Sequence, residues 1–341
     1  MRGVIMEAPG VVRVVDREEP RIIEASDAVI RLTATCICGS DLWPYRGVET
    51  TPGAAMGHEY VGVVEEVGSA VRTVKPGDFV VGSFFFSCGT CDICRAGFQS
   101  RCVNGGFMSG EIGTQSQLAR VPQADGTLVA TPSMPDAELV PSLLAASDVL
   151  GTGWFAADAA AVGPGKSVVV VGDGAVGLMG VLAAREMGAE RIIAMSRHAD
   201  RQALAREFGA TDIVEDRGND GVQQIRELTG GLGAHSVIEA VGTQESFAQS
   251  LRVARPGGHI GFVGVAHAGV TLAMDRLFGG LVHMHGGPAP VRRYLPDLID
   301  RIWNRSIDPG KVFDLTLPLD QAAEGYLAMH ERRAIKVLLT P

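Results

Sequence analysis

The sequence predicts an α/β protein in two parts, a β-rich, barrel-like domain and a doubly wound parallel sheet. Three observations predict it. A chain of 341 residues is long for one hydrophobic core, so two domains are expected. Up to about Val129 the chain reads as short strands broken by Gly and Pro. From Lys166 to about Met284 buried strands alternate with helices of about 10 to 15 residues, the pattern of right-handed βαβ units.

Each element has a local reason. Residues 3–20 and 27–37 alternate apolar with polar side chains, as do 60–71 and 78–86, and KPGD at 75–78 turns the chain between two of these runs. Near Ser142 the character changes, and the Ala-rich run 142–162 reads as helix. SVVVVG at 167–172 is then a buried strand and 175–188 a helix. Strands at 191–196, 212–216, 235–242 and 259–265 follow, spaced by helices at 199–209, 222–230 and 245–254. After GGPAP come helices at 291–304 and 321–330 and a strand at 335–339.

Composition narrows the function. With 46% hydrophobic and 20% charged residues the chain is globular, and its 44 glycines point to tight turns and close backbone approaches. A formal charge of −9 without a basic run argues against nucleic acid or an anionic membrane as partner. No apolar stretch reaches the roughly 20 residues of a membrane span, and MRGVIMEAPG lacks a secretory apolar region, so a cytoplasmic location is expected. Cysteines 36, 38, 88, 91, 94 and 102 all fall in the first third, where clustering in a reducing cytosol favours metal ligation over disulfides.

CGTCDICRAGFQSRC gathers Cys88, Cys91, Cys94 and Cys102 on one short lobe. Four thiolates wrap a tetrahedral Zn²⁺ and leave no open position, which makes a structural site rather than a reactive one. VVVVGDGAVGLMGVLAA places Gly172, Gly174 and Gly177 as GxGxxG between a buried strand and a helix. Gly172 makes the turn, Gly174 admits a pyrophosphate and Gly177 lets the helix pack on the strand. Asp173, Ala175 and Val176 complete the loop, where the helix N-terminus holds phosphates.

A carboxylate about 20 residues further on would grip the ribose hydroxyls of NAD. That place holds Ser196, Arg197 and His198, a hydroxyl and two potential cations, which suit a 2′-phosphate. NADP(H) is therefore expected over NAD(H). Arg201 either helps or is a solvated helix face, and Asp216 mildly opposes the choice.

Cys38, His58 and Asp148 supply a dispersed thiolate, imidazole and carboxylate; alone, each also reads as a buried thiol, a core histidine or a helix cap. The chain also carries CGSD at 38–41, GHE at 57–59, Asp148 four residues before Thr152-Gly153, and GATD at 209–212. With the cysteine lobe and the GxGxxG unit, these make the whole chain resemble the zinc-dependent alcohol dehydrogenases of the medium-chain dehydrogenase/reductase superfamily, of the bacterial secondary-alcohol kind.

The resemblance implies a GroES-like β-rich catalytic domain at 1–150 with a structural-zinc lobe near 86–103. A Rossmann domain at 151–286 would follow, then a return to the catalytic domain at 287–341. It implies Cys38, His58 and Asp148 as ligands of a catalytic zinc with its fourth position open, and leaves Cys36 as a packing thiol. Glu59 would stand beside the metal or ligate it transiently, and Ser40 would take the alcohol proton. Zinc would act as Lewis acid on an alcohol, ketone or aldehyde while the dinucleotide carries the hydride. Along the cofactor the resemblance sets Thr152, Val241, Val263, Gly264 and Val265, with Lys336 towards the phosphates unless it is a surface lysine. It also implies a homodimer or homotetramer paired through 281–285 as an edge strand. An NAD-dependent aldehyde or polyol dehydrogenase, or a catalytically silent zinc-stabilised nucleotide-binding protein, are the alternatives.

One departure stands out. Where the family commonly ends its proton relay on a histidine, this sequence has Trp43, which offers one N–H and no titrating group. The relay then ends on the cofactor ribose, on water or on Tyr45, or Trp43 narrows the pocket. Phe84 and Trp154, with Phe85 and Phe86, are expected as an apolar substrate wall.

Overall fold

The computed structural model describes residues 1–266 and 269–341. They fall into two units, Met1–Asp148 with Pro290–Pro341, and Val149–Ala289.

The strand Ala28–Ile37 is the spine of the first unit. It pairs antiparallel with Tyr60–Val67, Leu118–Val121 and Val337–Thr340. Phe79–Gly82, Leu128–Ala130 and Leu315–Pro318 extend the sheet to seven strands among the described residues. Arg31 and Thr33 are exposed between buried neighbours, as alternation demands. Two register shifts against Tyr60–Val67 bend the spine. Apolar clusters gather around Ile30, Tyr60, Val64 and Val80, and around Ile37, Tyr45, Tyr326 and Val337. The KPGD turn closes through Asp78 N–H on Lys75 O (3.1 Å), with Gly77 in the left-handed region at φ +93°.

The later segment of this unit begins with the helix Val291–Trp303. Its buried residues Val291, Leu295, Leu298, Ile299 and Ile302 lie on one helical stripe. The helix Ala322–His330 and the strand Val337–Thr340 follow.

The second unit holds a parallel six-stranded sheet among the described residues. Its spatial order is Asp212–Val214, Arg191–Met195, Ser167–Val171, Ala234–Glu239, Ala254–Phe262, His283–Gly286. In chain order this is 3-2-1-4-5-6, the doubly wound Rossmann arrangement, whose ligand crevice opens at the strands' carboxyl ends. Helices Ala175–Glu186, Ala199–Phe208, Gly218–Leu228 and Gln244–Val253 connect the strands.

Three expectations change. The predicted helix over 142–162 is two, Val140–Ala146 and Val149–Ala159, broken at Ser147 and Asp148. Ser147 Oγ accepts the Tyr60 N–H and the Asp148 carboxyl group reaches His58, so both polar side chains bind the strand region. The strand expected from 259 begins at Ala254, opposite a register shift at Ala234/Ser236. The edge strand is His283–Gly286 rather than 281–285, because Leu281 sits at φ 49°, which no strand residue adopts. No single helix among the described residues is long and apolar enough to cross a membrane.

Candidate active site

Cys38 directly follows the spine strand, at the head of the Gly-Ser-Asp turn. Asp41 Oδ2 folds back to accept the Cys38 N–H (3.0 Å) and fixes that turn. His58 follows Gly57, whose φ of +90° is left-handed and whose Cβ, if present, would strike Gln115. Glu59 stands just before the strand Tyr60–Val67, and Asp148 at the helix break.

These elements bring one ligand atom each from Cys38, His58, Glu59 and Asp148 within 4.8 Å of one another. His58 Nε2 lies 3.4 Å from Asp148 Oδ2, and Cys38 Sγ lies 3.8 Å from the same oxygen. In a tetrahedral zinc site, bonds of about 2.0 Å to N or O and about 2.3 Å to S put ligand atoms about 3.3 to 3.8 Å apart. The donor set fits. Burial first, and Glu59 second, push the Cys38 thiol up, so a thiolate here calls for a cation. Burial alone would lower His58, but Asp41, Cys38 and Asp148 reverse the sign and hold it well above its ordinary value. His58 Nδ1 lies 3.4 Å from Asp41 Oδ1, an outer partner of the kind that orients a metal-binding imidazole.

Lys336 requires a correction. It is neither directed to phosphates nor on the surface. Its Nζ is fully buried and donates to Glu59 Oε1 (2.7 Å) and Ile37 O (3.3 Å). Glu59 Oε2 is buried with no hydrogen-bond partner among the described residues. It is the oxygen left over beside the metal-ligand atoms. Cys36 is buried, its thiol pushed well up by desolvation and then by Glu59.

The rest of the opening motif lies in the same turn. Ser40 is half-buried and its carbonyl accepts the backbone N–H of Trp43 (3.1 Å); Trp43 is half-buried on the short helix Leu42–Tyr45. Tyr45, one end considered for the relay, packs its ring on Tyr326 and His330. Phe84 and Phe85 form part of an aromatic wall, with the Phe84 centroid 6.1 Å from that of His58. Phe86 packs instead against the apolar cluster around Ile30.

Sequence reasoning missed three neighbours. Phe107, paired in register with Phe85, is nearest to His58 among these rings at 4.8 Å. Asp41 stands in the CGSD motif, where the sequence alone does not reveal its contacts with Cys38 and His58. Gln115 donates to Asp41 Oδ2 (3.0 Å) and accepts from Tyr326 Oη (2.9 Å). Only tertiary pairing reveals Phe107 and Gln115.

The second donor cluster is made of cysteines alone. Cys88, Cys91, Cys94 and Cys102 converge, with Sγ separations of 3.4 Å for Cys88–Cys102 and 3.9 Å for Cys91–Cys102. These bracket the about 3.8 Å edge of a Zn–S₄ tetrahedron. Cys91 caps the short helix Asp92–Arg95 by accepting the Cys94 N–H, and Cys88 Sγ accepts the Cys91 N–H. Burial opposes it, but bonds from Thr90 and Cys91 pull the Cys88 thiol down to about 5. Cys94, desolvated and beside other sulfurs, is pushed up to about 12.

In the second unit, Gly172 turns at φ +118°, and Gly174 precedes the helix Ala175–Glu186, in which Val176 lies. A Cβ on Gly177 would fall on Gly172 O, so only glycine lets the helix pack there. Ser196, just past the strand Arg191–Met195, donates to Asp173 Oδ2 (2.8 Å). Arg201 Nη1 pairs with Asp173 Oδ1 at 3.4 Å and its side chain is 13% exposed, so it is no solvated helix face. Arg197 is exposed and bonds Glu215 O (3.3 Å), while His198 is exposed at the start of the next helix. Asp216 holds Gln224 Nε2 (2.5 Å). Val241 and Val265 are 46% and 53% exposed after their strands, and Val263 and Gly264 are half-buried beside them. Thr152 and Trp154 are buried on the helix Val149–Ala159.

A fold of this order with these two donor clusters defines a class. The alcohol dehydrogenase GroES-like domain matches residues 24–133 and the zinc-binding dehydrogenase domain residues 175–303. The chain belongs to the zinc-type alcohol dehydrogenases of the medium-chain dehydrogenase/reductase superfamily. It is similar to zinc-type alcohol dehydrogenase B of Aspergillus flavus, at 34% identity over 99% of this chain and 81% of that one. Alcohol dehydrogenase TADH from Thermus sp. ATN1 superposes with a TM-score of 0.91 at 33% identity, covering 100% and 99% of the two chains. A Sinorhizobium meliloti 1021 structure bound to NADP gives 0.86 at 28% identity, over 100% and 99%.

Proposed function

We propose that the chain transfers a hydride between NADP(H) and an alcohol/ketone or aldehyde pair. The observation that carries this reading is the Cys38–His58–Asp148 donor triangle beside a Glu59 already engaged by Lys336. A silent nucleotide-binding protein would need the Cys₄ lobe alone. Cys38, His58 and Asp148 would hold the catalytic zinc, and Cys88, Cys91, Cys94 and Cys102 the structural one. Bound zinc supplies a Lewis acid that stabilises negative charge developing on the substrate oxygen.

The chain's own groups do the rest. Asp41 orients His58 from the Nδ1 side, leaving Nε2 as the ligand atom. Ser40 offers the hydroxyl that accepts the substrate proton. Trp43 has no titrating group, so the relay would leave Ser40 through water, the cofactor ribose or Tyr45. Phe84, Phe85 and Phe107 set an apolar wall beside His58, with Trp43 and Trp154 further candidates for substrate contact.

Gly172, Asp173, Gly174, Ala175, Val176 and Gly177 would take the pyrophosphate, with Thr152, Val241, Val263, Gly264 and Val265 along the rest of the dinucleotide. Arg197 and His198, exposed beside Ser196, support a 2′-phosphate, as does the NADP-bound relative. One observation favours NAD(H) instead. The Asp173 carboxyl group reaches Ser196, at the strand end where a ribose-binding acid is sought. Exposed Met274, Phe278 and Leu281 precede the edge strand His283–Gly286 and support pairing of two copies there. The working location is the cytoplasm.

A panel of alcohols, ketones and aldehydes assayed with each dinucleotide, alongside zinc analysis, tests the reading. Turnover with NADPH and both zinc sites filled are expected. Filling of the structural site alone, with no turnover, would support the silent form. Tighter binding of NADH than NADPH would support the second cofactor.

A further inference from the structure

The side chain of Glu239 is completely buried where the strand Ala234–Glu239 ends, although no sequence motif singles it out. Burying a carboxyl group is costly unless its hydrogen bonds are met, so this one needs a reason. Its Oε1 accepts two backbone N–H groups, from Val241 (2.9 Å) and Gly242 (2.8 Å). Its main-chain carbonyl accepts two more, from Val263 (2.9 Å) and Gly264 (3.2 Å). Oε2 is buried and has no partner among the described residues.

The next residue extends the connection, since Ala240 N–H bonds Val171 O (3.0 Å) immediately before Gly172. The segments leaving three neighbouring parallel strands are therefore tied together around one residue. They are the glycine loop after Val171, the turn 240–242 and the turn 263–265. Packing there is tight: a Cβ on Gly264 would meet Gly242 N, Val241 N and Glu239 Oε2, and a Cβ on Gly172 would meet Val241 Cγ2.

The geometry points to Glu239 as a positioning residue of the dinucleotide crevice, acting through the backbone of Val241 and Gly242 rather than by touching the cofactor. The inference rests on the dinucleotide reading of this unit. Without Oε1 the two N–H groups lose their acceptor, and the turn carrying Val241 over Gly172 is no longer held.

The test compares the zinc-loaded wild type with Glu239→Gln, Glu239→Asp and Glu239→Ala. NADPH affinity is read from nicotinamide fluorescence, kcat and KM from turnover, and Tm without nucleotide. Gln keeps an acceptor oxygen at the same reach and should bind like wild type. Asp, one methylene shorter, and Ala should raise Kd and KM for the dinucleotide about tenfold, as expected for lost backbone hydrogen bonds, with kcat little changed. Should Ala fail to fold, the Asp and Gln pair decides. Wild-type Kd in the Asp variant would overturn the inference, even with a lower Tm, because that is the signature of a purely structural group. A Gln variant as weak as Asp would overturn it as well. Absence of NADPH and NADH binding by the wild type would instead sink the dinucleotide reading, and is seen before any variant is made.

Discussion

Lys336 Nζ sits 2.7 Å from Glu59 Oε1, and each side chain is 1% exposed. Burial would discharge this lysine, but Cys36 and Glu59 hold its pKa well above the ordinary value. Removing one partner strands the other. Lys336→Met should therefore cost about 3–5 kcal/mol, whereas the double variant Lys336→Met/Glu59→Gln should recover most of it. Denaturant midpoints for the four proteins of the cycle measure this, and an undiminished midpoint in Lys336→Met would deny the pair its role.

The two donor clusters should fail differently. Cys38→Ser or Asp148→Asn should cut turnover by about 10³-fold or more while Tm stays near wild type. Cys94→Ser should lower Tm by roughly 4–8 °C, about 2 kcal/mol in a unit of this size. Parallel zinc analysis should show a different site emptied in each case. Unchanged melting in Cys94→Ser would remove the structural assignment of the lobe.

Cofactor choice can be read at Arg197. Replacing it with alanine should weaken NADPH binding about tenfold and leave NADH nearly unaffected, since only the former carries a 2′-phosphate. Equal losses for both nucleotides would point to a general electrostatic effect.

Acid should destabilise the second unit through its histidines. His259 stacks on His283 at 4.3 Å, and burial first, then His283 and Lys166, lower it from 6.5. The unfolded chain then binds the proton more readily than the folded one, so stability present above about 6.5 is lost as pH falls from there towards the lower folded value. Tm should drop between pH 7.5 and 5.5, and His259→Gln should flatten that slope. An identical slope in the variant would assign the acid sensitivity elsewhere.

What could be read in advance followed local chemistry. Gly172, Gly174 and Gly177 announce themselves because a turn and a close helix contact restrict the choice of residue. Cys88, Cys91, Cys94 and Cys102 do so because four cysteines at such short spacing can converge on one point, as their sulfur atoms do here. The parallel sheet of βαβ units followed from the alternation of strands and helices, whereas its strand order is known only from the structure. Lys336 was misplaced for the opposite reason. Its partner lies 277 residues away, and nothing local separates a buried lysine from an exposed one. Phe107 and Gln115 likewise enter the site through register and tertiary hydrogen bonds. The helix break at Asp148 could not be read from an Ala-rich run, because what interrupts the helix is the pull of His58 and Tyr60.

The strand Val337–Thr340 lies in the first unit's sheet, against residues 35–37. On the ribosome, residues 149–289 therefore emerge as one continuous stretch with all their sheet partners, whereas the first unit must wait for its closing strand. Lys336 arrives with that strand. Until then Glu59 Oε1 lacks the ammonium group that donates to it in the folded chain. C-terminal closure is thus the step that gives Glu59 Oε1 its buried counter-charge.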